Sequence, residues 1–185
     1  FKAGQYLEWM LPHGSDSRGE RRYFTIASSP TEDKVRLALK VVDNGSTYKQ
    51  ALMALDKGEK IICSQLAGDF LLPATSSKKL GFIAGGIGVT PFSSHLQYMK
   101  DSGNNFDTAL LYCANTVEEL AYKNEFEELS KSINLQLVPV ISKEEVSEPM
   151  EKGYITKELL ERRVPDYKER FWYLSGPPPM VNAYD

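Results

Sequence analysis

Between an apolar run, Leu80–Ala84, and a segment able to start a helix at Pro91 lies Gly85-Gly86-Ile87-Gly88-Val89-Thr90. Glycines let the backbone come close to a bulky anion. A following helix adds unpaired N–H groups and the positive end of its dipole. Pro91 suits the first helical turn, where its missing N–H costs nothing. The charge–dipole attraction is only about 0.3–2 kcal/mol, so phosphate selectivity requires several N–H contacts acting together. A tight turn without a ligand would use the same residues. The loop also departs from the dinucleotide fingerprint G-x-G-x-x-G, because Pro91 stands where the third glycine would be.

Three other segments carry groups suited to phosphate or to an aromatic ring. Arg22-Tyr23-Phe24-Thr25 offers a guanidinium, aromatic surface and a hydroxyl, although taken alone it reads as an edge strand with a solvated arginine. Lys40-Val41-Val42-Asp43-Asn44-Gly45-Ser46-Thr47-Tyr48 joins a strand to a helix, with Ser46 and Thr47 as sound N-caps. Tyr173-Leu174-Ser175-Gly176-Pro177-Pro178-Pro179-Met180 ends a strand in a rigid turn. Asn115, closing Leu110–Asn115, lies where an adenosine ribose could reach.

The elements that must position these residues change character near residue 76. Before it, β-type runs (Gln5–Leu11, Arg22–Ala27, Lys34–Val42, Lys60–Gln65, Asp69–Leu72) alternate with turn signals such as Asn44-Gly45 and Lys57-Gly58. Only Ser46–Leu55 has helical spacing. Short strands with one helix predict a small antiparallel Greek-key β-barrel over residues 1–76. After a polar linker, Thr75–Lys79, β and α patterns alternate. Strands are expected at Leu80–Ala84, Thr108–Cys113, Leu135–Ile141 and Phe171–Leu174, and helices at Pro91–Lys100, Val117–Ser130, Thr156–Arg162 and from Met180. Residues 77–185 are therefore expected to form a doubly wound parallel α/β domain.

In this order, the four segments resemble the ferredoxin–NADP reductase superfamily. Its pyrophosphate loop keeps a proline like Pro91, an R-x-Y-S-type motif lies upstream, and a Cys-Gly-Pro-Pro-x-Met segment faces the nicotinamide. The likeness covers nearly the whole chain. It implies a flavin-dependent oxidoreductase that takes hydride from NAD(P)H on FAD and passes electrons to an acceptor. It implies that Arg22, Tyr23, Phe24 and Thr25 bind FAD, with Arg22 on the pyrophosphate, Phe24 on the isoalloxazine and Thr25 near N5. Lys40, Gly45, Ser46 and Thr47 would form the second flavin segment. Gly85, Gly86, Ile87, Gly88, Val89, Thr90, Pro91, Asn115, Gly176, Pro177 and Met180 would hold the dinucleotide. Thr25, Thr90 and Ser175 would line the hydride path. Phe24 replaces the motif's Tyr, Thr25 its Ser, and Ser175 the Cys of many members. Gly68-Asp69-Phe70 resembles the turn closing the barrel.

The remaining features bound the reading. A net charge of −3 argues against a nucleic-acid partner, which needs a basic face. No apolar run approaches the ~18–20 residues that span a bilayer. Two cysteines, Cys63 and Cys113, cannot form a plant-type iron–sulfur cluster, which needs four; both are expected to be buried free thiols in a reducing, cytoplasm-facing compartment. Asn115 is uncharged and Lys123 is at least a helical turn away, which favours NADH over NADPH. His13 and His95 lack metal-ligand spacing and are expected in a loop and on a helix surface, with no metal site. Glu118-Glu119 and Glu125–Glu128 are expected on solvated helix faces. Both chain ends read as cuts through elements, so a first barrel strand and a C-terminal strand are expected beyond them. Alternatives are an FMN-dependent reductase, a regulatory module that binds nucleotides without turnover, and the electron-input end of a membrane-anchored electron-transfer protein.

Overall fold

The computed structural model describes residues 1–42, 45–75 and 77–184. The N-terminal half forms an antiparallel sheet in the order β2-β1-β3, built from β1 (Tyr6–Met10), β2 (Arg21–Thr25) and β3 (Ile62–Ala67). Alternation along β1 and β2 sends Leu7, Trp9 and Phe24 to one side, where Leu11 and Tyr48 join the core. Helix α1 (Thr47–Met53) closes that core. The Ser46 side chain caps its N-terminus, and the Tyr48 hydroxyl donates to the Trp9 carbonyl at 3.1 Å.

Lys34–Val42 and Asp69–Leu72, expected as strands, form no ladder. The first is held by isolated bonds, such as Ala27 N to Arg36 O and Arg36 N to Ser28 Oγ. The expected Asn44-Gly45 turn and the division at residue 76 fall partly on residues outside those described.

The C-terminal half is a parallel sheet in the order β7-β6-β5-β4-β8. Its strands are β4 (Lys79–Gly85), β5 (Thr108–Ala114), β6 (Leu135–Ile141), β7 (Glu151–Lys152) and β8 (Arg170–Ser175). The two-residue β7 adds a fifth strand to the four expected. From β4 the chain winds outward through β5, β6 and β7, then returns to the other side of β4 as β8, which makes β4 the topological switch point. Helices α2 (Thr90–Ser102) and α3 (Lys123–Ser130) cover one face, burying Phe92, Leu96 and Phe126 against Leu80, Phe82 and Leu110. Helices α4 (Lys157–Arg163) and α5 (Pro178–Tyr184) cover the other, with Leu159 and Met180 packed near Ile83 and Leu111. Burial on both faces explains why the strands read as continuous apolar runs.

The expected helix over Val117–Ser130 begins only at Lys123. The preceding residues turn, and Tyr122 is left-handed, with φ 61°. The two halves meet along α2 and at β8. Ser94 Oγ donates to the Ser28 carbonyl at 2.6 Å, and the Tyr173 hydroxyl donates to the Leu71 carbonyl at 2.7 Å. His95, expected on the helix surface, is fully buried there, with Nε2 3.2 Å from Ala3 O and 2.9 Å from Phe70 O. Two carbonyls can only accept, so Nε2 carries the proton, while Nδ1 has no partner among the described residues. Burial pushes the ring's pKa down to about 4.

Candidate functional site

A cavity of about 650 Å³ lies at the C-terminal ends of β4, β5, β6 and β8 and reaches across to the antiparallel half. This is the crevice outside the strand ends at a switch point, where open α/β sheets bind ligands. Thr25 and Lys40 enter it from the N-terminal half; Thr90, Ser175, Gly176 and Met180 enter from the C-terminal half.

The floor is made by two loops in close contact. A Cβ on Gly88 would lie 2.5 Å from the Ser175 carbonyl oxygen and 2.6 Å from Gly176 Cα, so only glycine lets these backbones meet. Gly86 differs: its φ is +51° and a Cβ there would meet nothing within 4 Å, so this backbone faces open space. The loop continues as a 3₁₀ turn, Gly86–Val89, directly into α2, with Pro91 in the helix's first turn. Gly85, Ile87, Asn115 and Pro177 also line the cavity. Val89 and Pro91 do not: both are buried, and Val89 packs into the sheet core.

The flavin-type motif is divided between the two faces of β2. Phe24 packs toward Tyr48, ring centres 5.9 Å apart, whereas Thr25 faces the cavity. Tyr23 shares the Thr25 face and is half exposed; with Tyr6 and Thr25 it borders a second cavity of about 290 Å³. The Tyr23 hydroxyl reaches Glu8 Oε1 at 3.1 Å, and that hydrogen bond raises the phenol's pKa. Arg22 is tied down locally. Its Nη1 donates to the carbonyls of Arg18, Gly19 and Arg21, its Nη2 lies 3.3 Å from Asp16 Oδ1, and the guanidinium sits 5.2 Å from the Tyr48 ring centre. Thr47 Oγ1 accepts from Asp16 N at 3.0 Å and lies 3.1 Å from His13 Nε2. Gly45, Ser46 and Thr47 border neither cavity.

Several lining residues escaped the sequence reading. Glu119, expected on a solvated helix face, sits in a turn and is paired with Lys40 Nζ at 2.7 Å. It also accepts from Asn115 N and Nδ2 at 3.2 and 3.0 Å. Lys40 beside it holds its carboxyl below the usual range. Cys113 lines the cavity and burial pushes its thiol up to about 12, whereas Cys63, expected to be buried, is exposed on β3. Cys113, Val140 and Ser142 could have been found from their places at the C-terminal ends of β5 and β6; nothing in the sequence signals Tyr154, which follows the very short β7. Among the described residues no cluster of His, Cys, Asp and Glu could hold a metal ion, and no helix is long and apolar enough to cross a membrane.

This architecture, a parallel sheet with a glycine-rich crevice facing an antiparallel sheet, defines a class of dinucleotide-binding reductase folds. Residues 82–185 match the oxidoreductase NAD-binding domain family. The chain belongs to that family, within the ferredoxin–NADP reductase superfamily. It is 29% identical over 188 residues to the glycine betaine monooxygenase reductase subunit of Chromohalobacter salexigens, covering 99% of this chain and 50% of the relative. The chain thus spans about half the length of the curated relatives it matches. A solved Amycolatopsis cytochrome P450 reductase superposes with a TM-score of 0.82 at 27% identity, over 99% of this chain and 55% of that one. A Neisseria gonorrhoeae ferredoxin NADP+ reductase, solved with FAD and NADP, shares the fold at 21% identity with a TM-score of 0.76, over 98% of this chain and 76% of that one.

Proposed function

We propose that this chain is the cofactor-binding module of an NAD(P)H oxidoreductase, in which nicotinamide C4 gives hydride to FAD N5 and electrons pass on to a protein acceptor. The observation that carries this reading is one cavity lined by Thr25 from one half and by Thr90 and Ser175 from the other. Hydride transfer requires two rings held face to face across such a junction, and the protein's contribution is orientation and electrostatics.

Residues 1–76 are assigned to FAD as a small barrel, and residues 77–185 to the dinucleotide. The open backbone at Gly86 and the helix start at Thr90 suit a pyrophosphate. Thr25, Thr90 and Ser175 supply hydroxyls that orient ring edges. Arg22, with Ser46 and Thr47 at the start of α1, would hold the flavin pyrophosphate; for that, a phosphate oxygen replaces Asp16 as the partner of Arg22. Asn115 is uncharged and the Glu119 carboxylate lies beside it, which disfavours a 2′-phosphate and favours NADH. The two free cysteines accord with a reducing, cytoplasm-facing location. The relative named as a monooxygenase reductase subunit supports an oxygenase component as the acceptor.

The test is retention and titration. The purified chain, mixed with FAD and passed through gel filtration, should elute with flavin absorbance. Calorimetric titration should then show tighter binding of NADH than of NADPH. Elution without flavin and no heat with either nucleotide would refute the assignment.

A further inference from the structure

Lys40 is the only cationic side chain, and Glu119 the only acidic one, among the described residues that line the main cavity. They are paired with each other, at 2.7 Å, from opposite halves of the molecule. The other polar contacts between the halves named above, through Ser94, His95 and Tyr173, do not line the cavity. A strap of opposite charges therefore crosses the space assigned to a dianionic ligand.

We propose that Glu119 is a positioning residue: it holds Lys40 over the cleft and yields it to the dinucleotide pyrophosphate, so that ligand entry exchanges one ion pair for another. This rests on the reading of the cleft as a nicotinamide-dinucleotide site.

Three features make the exchange feasible. Glu119 keeps two donors, Asn115 N and Nδ2, when Lys40 leaves, so no carboxylate is stranded without partners. Lys49 Nζ donates to the Lys40 carbonyl at 2.6 Å, which fixes the backbone while the flexible four-carbon stem swings. The Lys40 side chain is 55% and the Glu119 side chain 30% exposed. An ion pair this open is largely screened by solvent and holds Lys40 weakly, whereas a pyrophosphate offers the same ammonium two negative charges. The phosphate therefore wins Lys40, and Glu119 reduces its affinity without blocking it.

The test is a double-mutant cycle read by calorimetric titration of NAD+, which has no 2′-phosphate, into the 185-residue chain at low ionic strength. Glu119→Gln retains an acceptor for Asn115 and should tighten NAD+ binding about threefold to fivefold. Glu119→Asp, which keeps the charge, should stay close to wild type. Lys40→Met should weaken binding about tenfold. In the Lys40→Met background, Glu119→Gln should change affinity by less than about twofold, because no lysine remains to be released. Thermal midpoints of all variants show whether each remains folded. A gain of equal size in both backgrounds would mean plain charge repulsion by Glu119 and would overturn the exchange. No gain in either background would overturn it too. If wild type binds no NAD+ at all, the cleft assignment itself fails, and a wild type that binds while the cycle shows no coupling fails only the exchange.

Discussion

The two halves differ in how far their binding groups stand ready. In the parallel half every residue of β4 after Lys79 is buried, both faces are covered by helices, and the glycine loop presents open backbone at Gly86. In the antiparallel half β3 is exposed over five of its six residues, and the candidate phosphate ligands are engaged with neighbours: Arg22 with Asp16, Thr47 with Asp16 N and His13. Under the proposed assignment, a rigid scaffold would pre-form the dinucleotide loop, while the flavin side would have to exchange internal partners for its ligand. Binding there is weakened by whatever those internal bonds are worth.

The joint between the halves should give the largest effect. His95 is buried and neutral, its pKa lowered from 6.5 to about 4. The unfolded chain therefore takes up the proton first, so this contribution is complete above pH 6.5 and declines as pH falls toward 4. The loss amounts to roughly 3 kcal/mol. Urea unfolding at pH 7.5, 5.5 and 4.5 should show it in wild type. The Glu and Asp background is shared by His95→Gln, which should lack this part of the decline.

Next comes the loop contact. Gly88→Ala forces a methyl against the Ser175 and Gly176 backbone and should cost about 2 kcal/mol of stability, with loss of NAD+ binding. Gly86→Ala meets no protein atom but puts a side chain on a left-handed backbone, which costs about 1 kcal/mol; it should be the milder change in thermal unfolding while still impairing NAD+ affinity. Equal stability losses would contradict the difference between the two glycines.

The flavin side should respond less, and in both directions. Arg22→Ala should weaken FAD binding about tenfold, and Asp16→Asn, which frees Arg22, should tighten it about threefold, as read by quenching of flavin fluorescence. A flavin site as pre-formed as the glycine loop would leave Asp16→Asn without effect.

The legibility of the sequence follows the same division. Leu135–Ile141 is found where its run of apolar residues places it, and β4, β5 and β8 deviate by only one or two residues, because strands buried on both faces have an unmistakable pattern. His95 was misplaced because the spacing along α2 reveals its packing on the sheet but not the second surface that covers its other side. Cys63 was expected inside because its run has β character, yet β3 pairs on one edge only. Glu119 looked like part of a helix face. In the structure its side chain caps Asn115 N across a turn, a local competition between side chain and helix that residue spacing does not resolve. Twelve of the residues expected to bind or react line the main cavity, chiefly those on the glycine loop and after β8. The assignment of Phe24 to the ring face depends on the orientation of a single strand, and here that side chain turns to Tyr48.

The central claim is tested most directly by anaerobic reduction of the FAD-loaded chain. Addition of NADH should bleach the visible flavin absorbance with simple saturation, and faster than addition of NADPH. A chain that retains FAD and binds NADH, yet keeps its full flavin spectrum over hours with either nucleotide, would contradict the oxidoreductase reading.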